Sequence, residues 1–111
     1  MTMKKNNFYH FKNKNILITG GTGSFGSMFI SEILKKSKPK KIIIFSRDEM
    51  KQWKMQENYK NNKTLKFIIG DVRDSEKVDS VFKSFKIDYV IHAAATKIVP
   101  TAELNPEECI K

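Results

Sequence analysis

Cysteine is almost missing from this sequence. Cys109 stands alone in 111 residues, so no disulfide can form within the chain, and a reducing compartment is the expected setting. No histidine or carboxylate cluster near Cys109 has the spacing of a metal site, so no metal is expected. Arginine is scarce too. Arg47 and Arg73 are the only two, and the net charge of +9 comes almost wholly from lysines scattered among asparagines. That pattern argues against a protein that reads nucleic-acid grooves, although a basic balance still raises the local concentration of a small anionic ligand. No stretch approaches the ~20 apolar residues of a membrane span, and the first 14 residues are polar and Lys/Asn-rich, without the apolar run of a signal peptide. The expectations are a cytoplasmic protein with neither a nucleic-acid nor a membrane partner.

What is present is a soluble composition, 40% hydrophobic and 30% charged, in a chain long enough for one domain with a small core. Behind a polar tail at 1–14, the apolar pattern of 15–111 switches repeatedly between short β-rich runs and helical spacing. This is the mark of βαβ units around a parallel sheet. Asn15–Gly20, Lys41–Ser46, Leu65–Ile69 and Asp88–His92 read as strands, the first a continuous apolar run of the kind buried on both faces.

Between them, Phe25, Met28, Phe29, Ile33 and Leu34 recur at helical steps and predict a helix ending near Lys36, before Pro39. A more polar helix from about Asp48 to Tyr59 has Met50, Trp53 and Met55 as its buried candidates. Val78, Val81, Phe82 and Phe85 mark a third helix capped by Asp74 or Ser75. The predicted fold is a Rossmann-type, doubly wound parallel α/β sheet, truncated after the fourth strand. Its order would be 3-2-1-4, with the outer edge of the fourth strand unpaired. Asn105-Pro106-Glu107-Glu108 reads as the start of a further helix that the chain abandons after Lys111, which implies a truncated sequence.

The first strand runs into Thr19-Gly20-Gly21-Thr22-Gly23-Ser24-Phe25-Gly26, with glycines at 20, 23 and 26 between a buried strand and an amphipathic helix. Glycine permits the sharp turn and the close approach of backbone to a pyrophosphate, while the helix N-terminus supplies N–H groups and a positive dipole end. In this setting the run is read as a dinucleotide site rather than a plain Gly-rich turn. In Rossmann folds that select NAD, an acid about 20 positions further on meets the ribose 2′-hydroxyl. Here that place holds Ser46 followed by Arg47, a hydroxyl and a guanidinium suited to a 2′-phosphate. Lys51, four residues on, lies on the same helical face and offers a second cation. Asp48 keeps the alternative open, since its carboxylate could serve an NAD ribose. NADP is the expected cofactor.

The G-x-x-G-x-x-G spacing resembles the short-chain dehydrogenase/reductase superfamily. With GGTGSFG, the runs FSRDEMKQ, GDVRD and HAAATKIVPTAELNPEECIK resemble one extended branch of it, the inverting UDP-N-acetylglucosamine 4,6-dehydratases of flagellin-sugar (pseudaminic acid) and capsular polysaccharide synthesis. The resemblance runs from about Asn15 to the last residue. It implies that Gly20, Thr22, Gly23, Ser24, Phe25, Gly26, Ser46, Arg47, Asp48, Glu49, Lys51, Gln52, Asp71, Val72, Ala93 and Ala94 hold NADP, and that Lys97 reaches the UDP-sugar. Read from the residues alone, Asp71 could equally cap a turn, His92 could be a buried strand residue and Lys97 an ordinary loop lysine. Ile98 departs from the family, which has a basic or imidazole residue there.

By resemblance the reaction is an internal redox cycle, in which hydride leaves C4 of the sugar, water is lost across C5 and C6, and hydride returns to C6 with inversion at C5. It needs a Tyr-x-x-x-Lys pair located after a fifth strand in the family. The one such match here, Tyr59 to Lys63, falls between the second and third strands and reads as chance. The sequence is thus expected to be the NADP-binding portion of a dehydratase acting in surface or flagellar glycan synthesis, inactive alone, with no catalytic residue of its own. Full-length relatives would act on UDP-N-acetylglucosamine as homo-oligomers. The alternative is a free-standing NADP-binding or regulatory module.

Overall fold

The computed structural model describes residues 11–20 and 22–93, together with the backbone of 97–100. In chain order the elements are β1 (Asn15–Thr19), α1 (Ser24–Lys36), β2 (Lys41–Ser46), α2 (Glu49–Asn58), β3 (Leu65–Ile69), α3 (Ser75–Phe85), β4 (Tyr89–His92) and β5 (Lys97–Pro100). One sheet holds the strands in the order β3-β2-β1-β4-β5. β1 lies parallel to β2 and β4, and β2 parallel to β3, as short apolar strands joined by helical crossovers must.

Ile16, Leu17, Ile18, Ile42, Ile43, Ile44, Val90 and Ile91 are all buried, which is why these strands read as continuous rather than alternating apolar runs. Successive residues serve opposite faces. Ile16, Ile18, Ile42, Ile44 and Ile91 pack with Phe29, Ile30 and Ile33 of α1 and Met55 of α2, while Leu17, Ile43, Phe45 and Val90 pack with Val78 and Val81 of α3. The helices therefore cover both faces. Phe11, inside the stretch read as a polar tail, is also core, with its ring edge-on to Phe29 and Tyr89.

Strands β1 and β4 are brought level by a reciprocal clasp: Asn15 N–H donates to the Asp88 carboxylate at 2.9 Å, and Asp88 N–H to the Asn15 carbonyl at 2.8 Å. Asp88 is spent on that clasp, so β4 begins one residue later than its apolar run suggests.

The structure corrects several expectations. The outer edge of β4 is not unpaired. Lys97–Pro100 returns antiparallel along it, with His92 opposite Lys97 and Tyr89 opposite Pro100. Apolar Ile98 and Val99 suit a strand, and a proline is tolerated at the end of an outer one. In α2, Met50 and Trp53 are exposed at 65% and 60%, while Gln52 and Met55 are buried. Asp48 caps this helix through the Lys51 N–H at 3.0 Å, and the cap fixes a phase that turns 52 and 55 to the sheet. In α1, Met28 is exposed and Ile30 takes the buried position. The helix expected near Asn105 lies outside the described residues.

Candidate functional site

Parallel strands deliver their C-terminal ends to one rim of the sheet. Gly20, Arg47, Gly70–Asp71 and Ala93 follow β1, β2, β3 and β4 there, and the backbone of Lys97 joins them from β5. The chain leaves β1 toward β2 and β3, then returns to the other side of β1 as β4. Crevices for ligands form at such reversals.

Gly20 has φ of 69°, a left-handed turn suited to glycine, and its N–H donates to the Phe45 carbonyl at 3.0 Å. Gly23 is the N-cap of α1 and its carbonyl accepts from Ser27 N–H at 2.9 Å, the first helical bond. The N–H groups of Ser24, Phe25 and Gly26 therefore precede the helical ladder and have no acceptor among the described residues. No side chain caps this end and no acid occupies its first turn, whereas Asp48 and Asp74 cap α2 and α3, backed by Glu49 and Glu76. Of these helix starts, α1 alone presents an uncompensated positive end, and it does so at the rim. A phosphate would meet both the amides and the dipole there. Thr22 is half-buried beside this turn and Ser24 is exposed on it.

Beyond β2, the expected Ser46–Arg47 pair divides. Ser46 is 8% exposed and its hydroxyl accepts from the Gln52 side chain at 3.1 Å, so it faces inward. Arg47 is exposed, with Nη1 3.5 Å from Asp71 Oδ2. The Asp48 carboxylate is committed to its cap, and Glu49 and Lys51 are exposed on the first turn of α2.

Asp71 gathers the arginines. Arg73 donates to it from its backbone N–H at 2.9 Å, from Nε at 3.1 Å and from Nη2 at 2.7 Å. The Arg73 side chain first, then its backbone N–H and the charges of both arginines, hold the Asp71 carboxyl well below the usual carboxylate range. The same pairing raises the Arg73 guanidinium. A group so depressed contributes stability that is complete above the unfolded value of ~3.9 and is lost as pH falls toward the lower folded one. A carbon-detected NMR titration is thus expected to find Asp71 still ionised at pH ~3.5, where an ordinary aspartate is mostly protonated. In Arg73→Ala its midpoint should rise toward the ordinary value; an unmoved midpoint would remove this explanation.

Val72 is partly buried against the α3-side core, and Ala93 is 5% exposed at the end of β4. His92 Nδ1 lies 2.9 Å from Thr19 Oγ1, a bond that ties β4 to β1 just below the glycine turn. Ala94 lies outside the described residues. Lys97 is placed opposite His92 by backbone register alone.

Sequence reasoning missed two participants. Arg73 was visible as one of two arginines, two residues after Asp71, but a loop clamp has no periodicity to reveal it. Gly70 follows β3 where a Cβ would stand 2.6 Å from the buried ring of Phe45, a contact between residues far apart in sequence. Tyr59 and Lys63 line a hollow of about 630 Å³ with Glu57 and Asn61. The Lys63 carbonyl accepts from Lys41 Nζ at the start of β2, which places that hollow at the opposite end of the strands from the glycine turn. Among the described residues no group of His, Cys, Asp and Glu could hold a metal, and no helix is long and apolar enough to cross a membrane.

A family model described as polysaccharide biosynthesis protein matches residues 16–111. The chain belongs to that family. Within the polysaccharide biosynthesis family, the chain is 54% identical over 101 residues to UDP-N-acetylglucosamine 4,6-dehydratase (inverting) of Campylobacter jejuni (strain 81-176), covering 91% of this chain and 29% of the relative. It is 50% identical over 103 residues to UDP-glucose 4-epimerase of Rickettsia bellii, covering 90% and 29%. The chain thus spans less than a third of the length of either, and it resembles the N-terminal part of the dehydratase.

Among solved structures, Pen from Bacillus thuringiensis superposes with a TM-score of 0.69 at 42% identity, over 90% of this chain and 30% of that one. WbmG of Bordetella bronchiseptica, solved in complex with NAD and UDP, superposes with a TM-score of 0.57 at 31% identity, over 69% and 23%. The Rossmann-type reading of the fold holds.

Proposed function

We propose that this chain is the NADP-binding portion of a C5-inverting UDP-N-acetylglucosamine 4,6-dehydratase of surface or flagellar glycan synthesis. The observation that carries the cofactor reading is the pairing of an uncapped α1 start with an exposed Arg47 on the same rim. One offers N–H groups to a pyrophosphate, the other a guanidinium to a 2′-phosphate. Support for NADP over NAD comes from the exposed Arg47 directly after β2, while Asp48, the nearest carboxylate, uses one of its oxygens to cap α2 on the Lys51 N–H.

When bound, the nicotinamide would accept and return hydride. The chain's own residues would bind and orient it. Among the described residues, Tyr59 follows the last turn of α2 and Tyr89 opens β4, both at the far end of the strands. No described tyrosine is therefore placed to move a proton at the rim, and this reading assigns that step to residues other than these. The choice of the dehydratase over the epimerase rests on the higher identity, and the substrate class on both relatives' names. A cytoplasmic location and a UDP-sugar partner follow from the same reading.

The test is a calorimetric titration with NADP⁺ and NAD⁺. The unaltered chain should prefer NADP⁺, and Arg47→Ala should lose roughly 10- to 100-fold in NADP⁺ affinity, as one charge-assisted hydrogen bond is worth about 1.5–3 kcal/mol, while NAD⁺ binding stays within about twofold. Equal losses for both nucleotides would mean that Arg47 does not read the 2′ position.

A further inference from the structure

The side chain of Gln52 is the most deeply buried polar group described, at 1% exposure, and it does not face the rim. Its Nε2 donates to the Ile68 carbonyl of β3 at 2.8 Å and to the Ser46 hydroxyl of β2 at 3.1 Å, with the Ser46 and Ile44 carbonyls further off at 3.4 and 3.5 Å. A carboxamide has two N–H groups, so the shorter contacts use both. Carbonyl oxygens only accept, which fixes the nitrogen rather than the oxygen of the amide toward the sheet. Its backbone N–H bonds the Asp48 carbonyl at 3.0 Å, anchoring the residue in the first turn of α2.

Gln52 thus spans the last pairing of β2 and β3, where Ser46 lies opposite Ile69 and Gly70 N–H donates to the Ser46 carbonyl at 2.9 Å. Immediately past that latch the strands part. One continues into Arg47, the other into Asp71, and the gap between their side chains is the 3.5 Å ion pair. Whatever sets the separation of the two strand ends therefore sets where the Arg47 guanidinium stands relative to Asp71.

We propose that Gln52, which the family resemblance places among the NADP-holding residues, is instead a positioning residue for the ribose 2′ subsite: buried on the sheet, it touches no cofactor, and it holds Arg47 and Asp71 at the spacing that lets the rim favour a 2′-phosphate over a 2′-hydroxyl. This rests on the NADP reading above and deepens it. Loss of the latch frees the β2 arm and loosens recognition at the 2′ position, while the α1 start, which is tied to β2 through the Gly20 N–H bond to the Phe45 carbonyl, keeps its own amides and still holds the pyrophosphate shared by NAD and NADP.

The experiment uses the chain carrying Gln52→Met, which keeps volume without donors, alongside Ser46→Ala, which deletes only the hydroxyl acceptor. Both are titrated with NADP⁺ and NAD⁺ and compared by amide NMR shifts without ligand. The expected result for Gln52→Met is a loss of about tenfold in NADP⁺ affinity with NAD⁺ within about twofold, and amide shifts at both Arg47 and Asp71 but not at Ser24 or Gly26. Ser46→Ala should move the same quantities less.

Equal loss of both nucleotides in step with a lower melting temperature would make Gln52 merely structural and overturn the proposal. So would shifts confined to α2, or an unchanged NADP⁺/NAD⁺ ratio. If Gln52→Met does not fold, Ser46→Ala decides alone by the same criteria. Failure of the NADP reading appears separately, as an unaltered chain that shows no preference for NADP⁺, and the ligand-free shifts then still decide whether Gln52 sets both arms.

Discussion

Gly23→Ala is expected to give a folded chain that binds NADP⁺ and NAD⁺ on the order of 100-fold more weakly, which corresponds to about 2.7 kcal/mol. Among the described residues, a Cβ at this position meets only the Gly20 carbonyl oxygen at 3.6 Å, an ordinary contact. Gly23 has φ of −78°, open to any residue, so the substitution strains nothing. Its cost to the fold is that of a poorer helix cap, about 1 kcal/mol, or a fall of ~4–8 °C in melting temperature. On the proposed reading, the same methyl would stand where the backbone approaches a pyrophosphate, and displacing the phosphate would weaken its bonds to the Ser24 and Phe25 amides together. Paired thermal melts and calorimetry check this. Retained nucleotide affinity would place the pyrophosphate elsewhere and undo the reading of the glycine run.

The second large effect lies in the core beneath the rim. Phe45 is 1% exposed and packs with Leu17, Ile43, Val78, Val81 and Val90. Phe45→Ala should cost about 3–5 kcal/mol, a large share of the ~5–15 kcal/mol that a domain commonly has. Gly70→Ala should cost about 1–3 kcal/mol by the opposite mechanism, because its new Cβ would stand 2.6 Å from Cζ and 2.9 Å from Cε2 of that buried ring. Combined, the changes should cost less than their sum by about 1–2 kcal/mol, since the vacated ring space admits the methyl. Urea denaturation of the four chains measures the coupling, with Phe45→Leu in place of Phe45→Ala if the latter is too unstable to assay. Strict additivity would show that Phe45 is not what requires a glycine at 70.

Both predictions concern residues whose sequence signals differed in kind. The strands were legible because burial on both faces writes itself as Ile42-Ile43-Ile44, and α1 and α3 because one apolar face repeats at helical steps. In α2 that logic misled. Its inward positions are Gln52 and Met55, and a buried amide leaves no apolar signal, so the large side chains of Met50 and Trp53 drew the assignment to the wrong face. β5 was hidden for another reason. A short segment bounded by Lys97 and Pro100 carries little periodicity, and its pairing with β4 is a tertiary event. At the site, the glycine turn and Arg47 could be read locally. The inward rotation of Ser46, the Arg73 clamp on Asp71 and the latch made by Gln52 each depend on a partner placed by the fold.

The open start of α1 makes the medium a participant in this protein's stability. Any small anion that settles on the Ser24–Gly26 amides binds the native form and not the unfolded one, and so draws the folding equilibrium toward the native side by mass action. On the proposed reading, inorganic phosphate, sulfate and the nucleotide would compete for the same stabilising position. A melting temperature for this chain is therefore a property of the chain together with its buffer, and a phosphate solution would report a sturdier molecule than a chloride one.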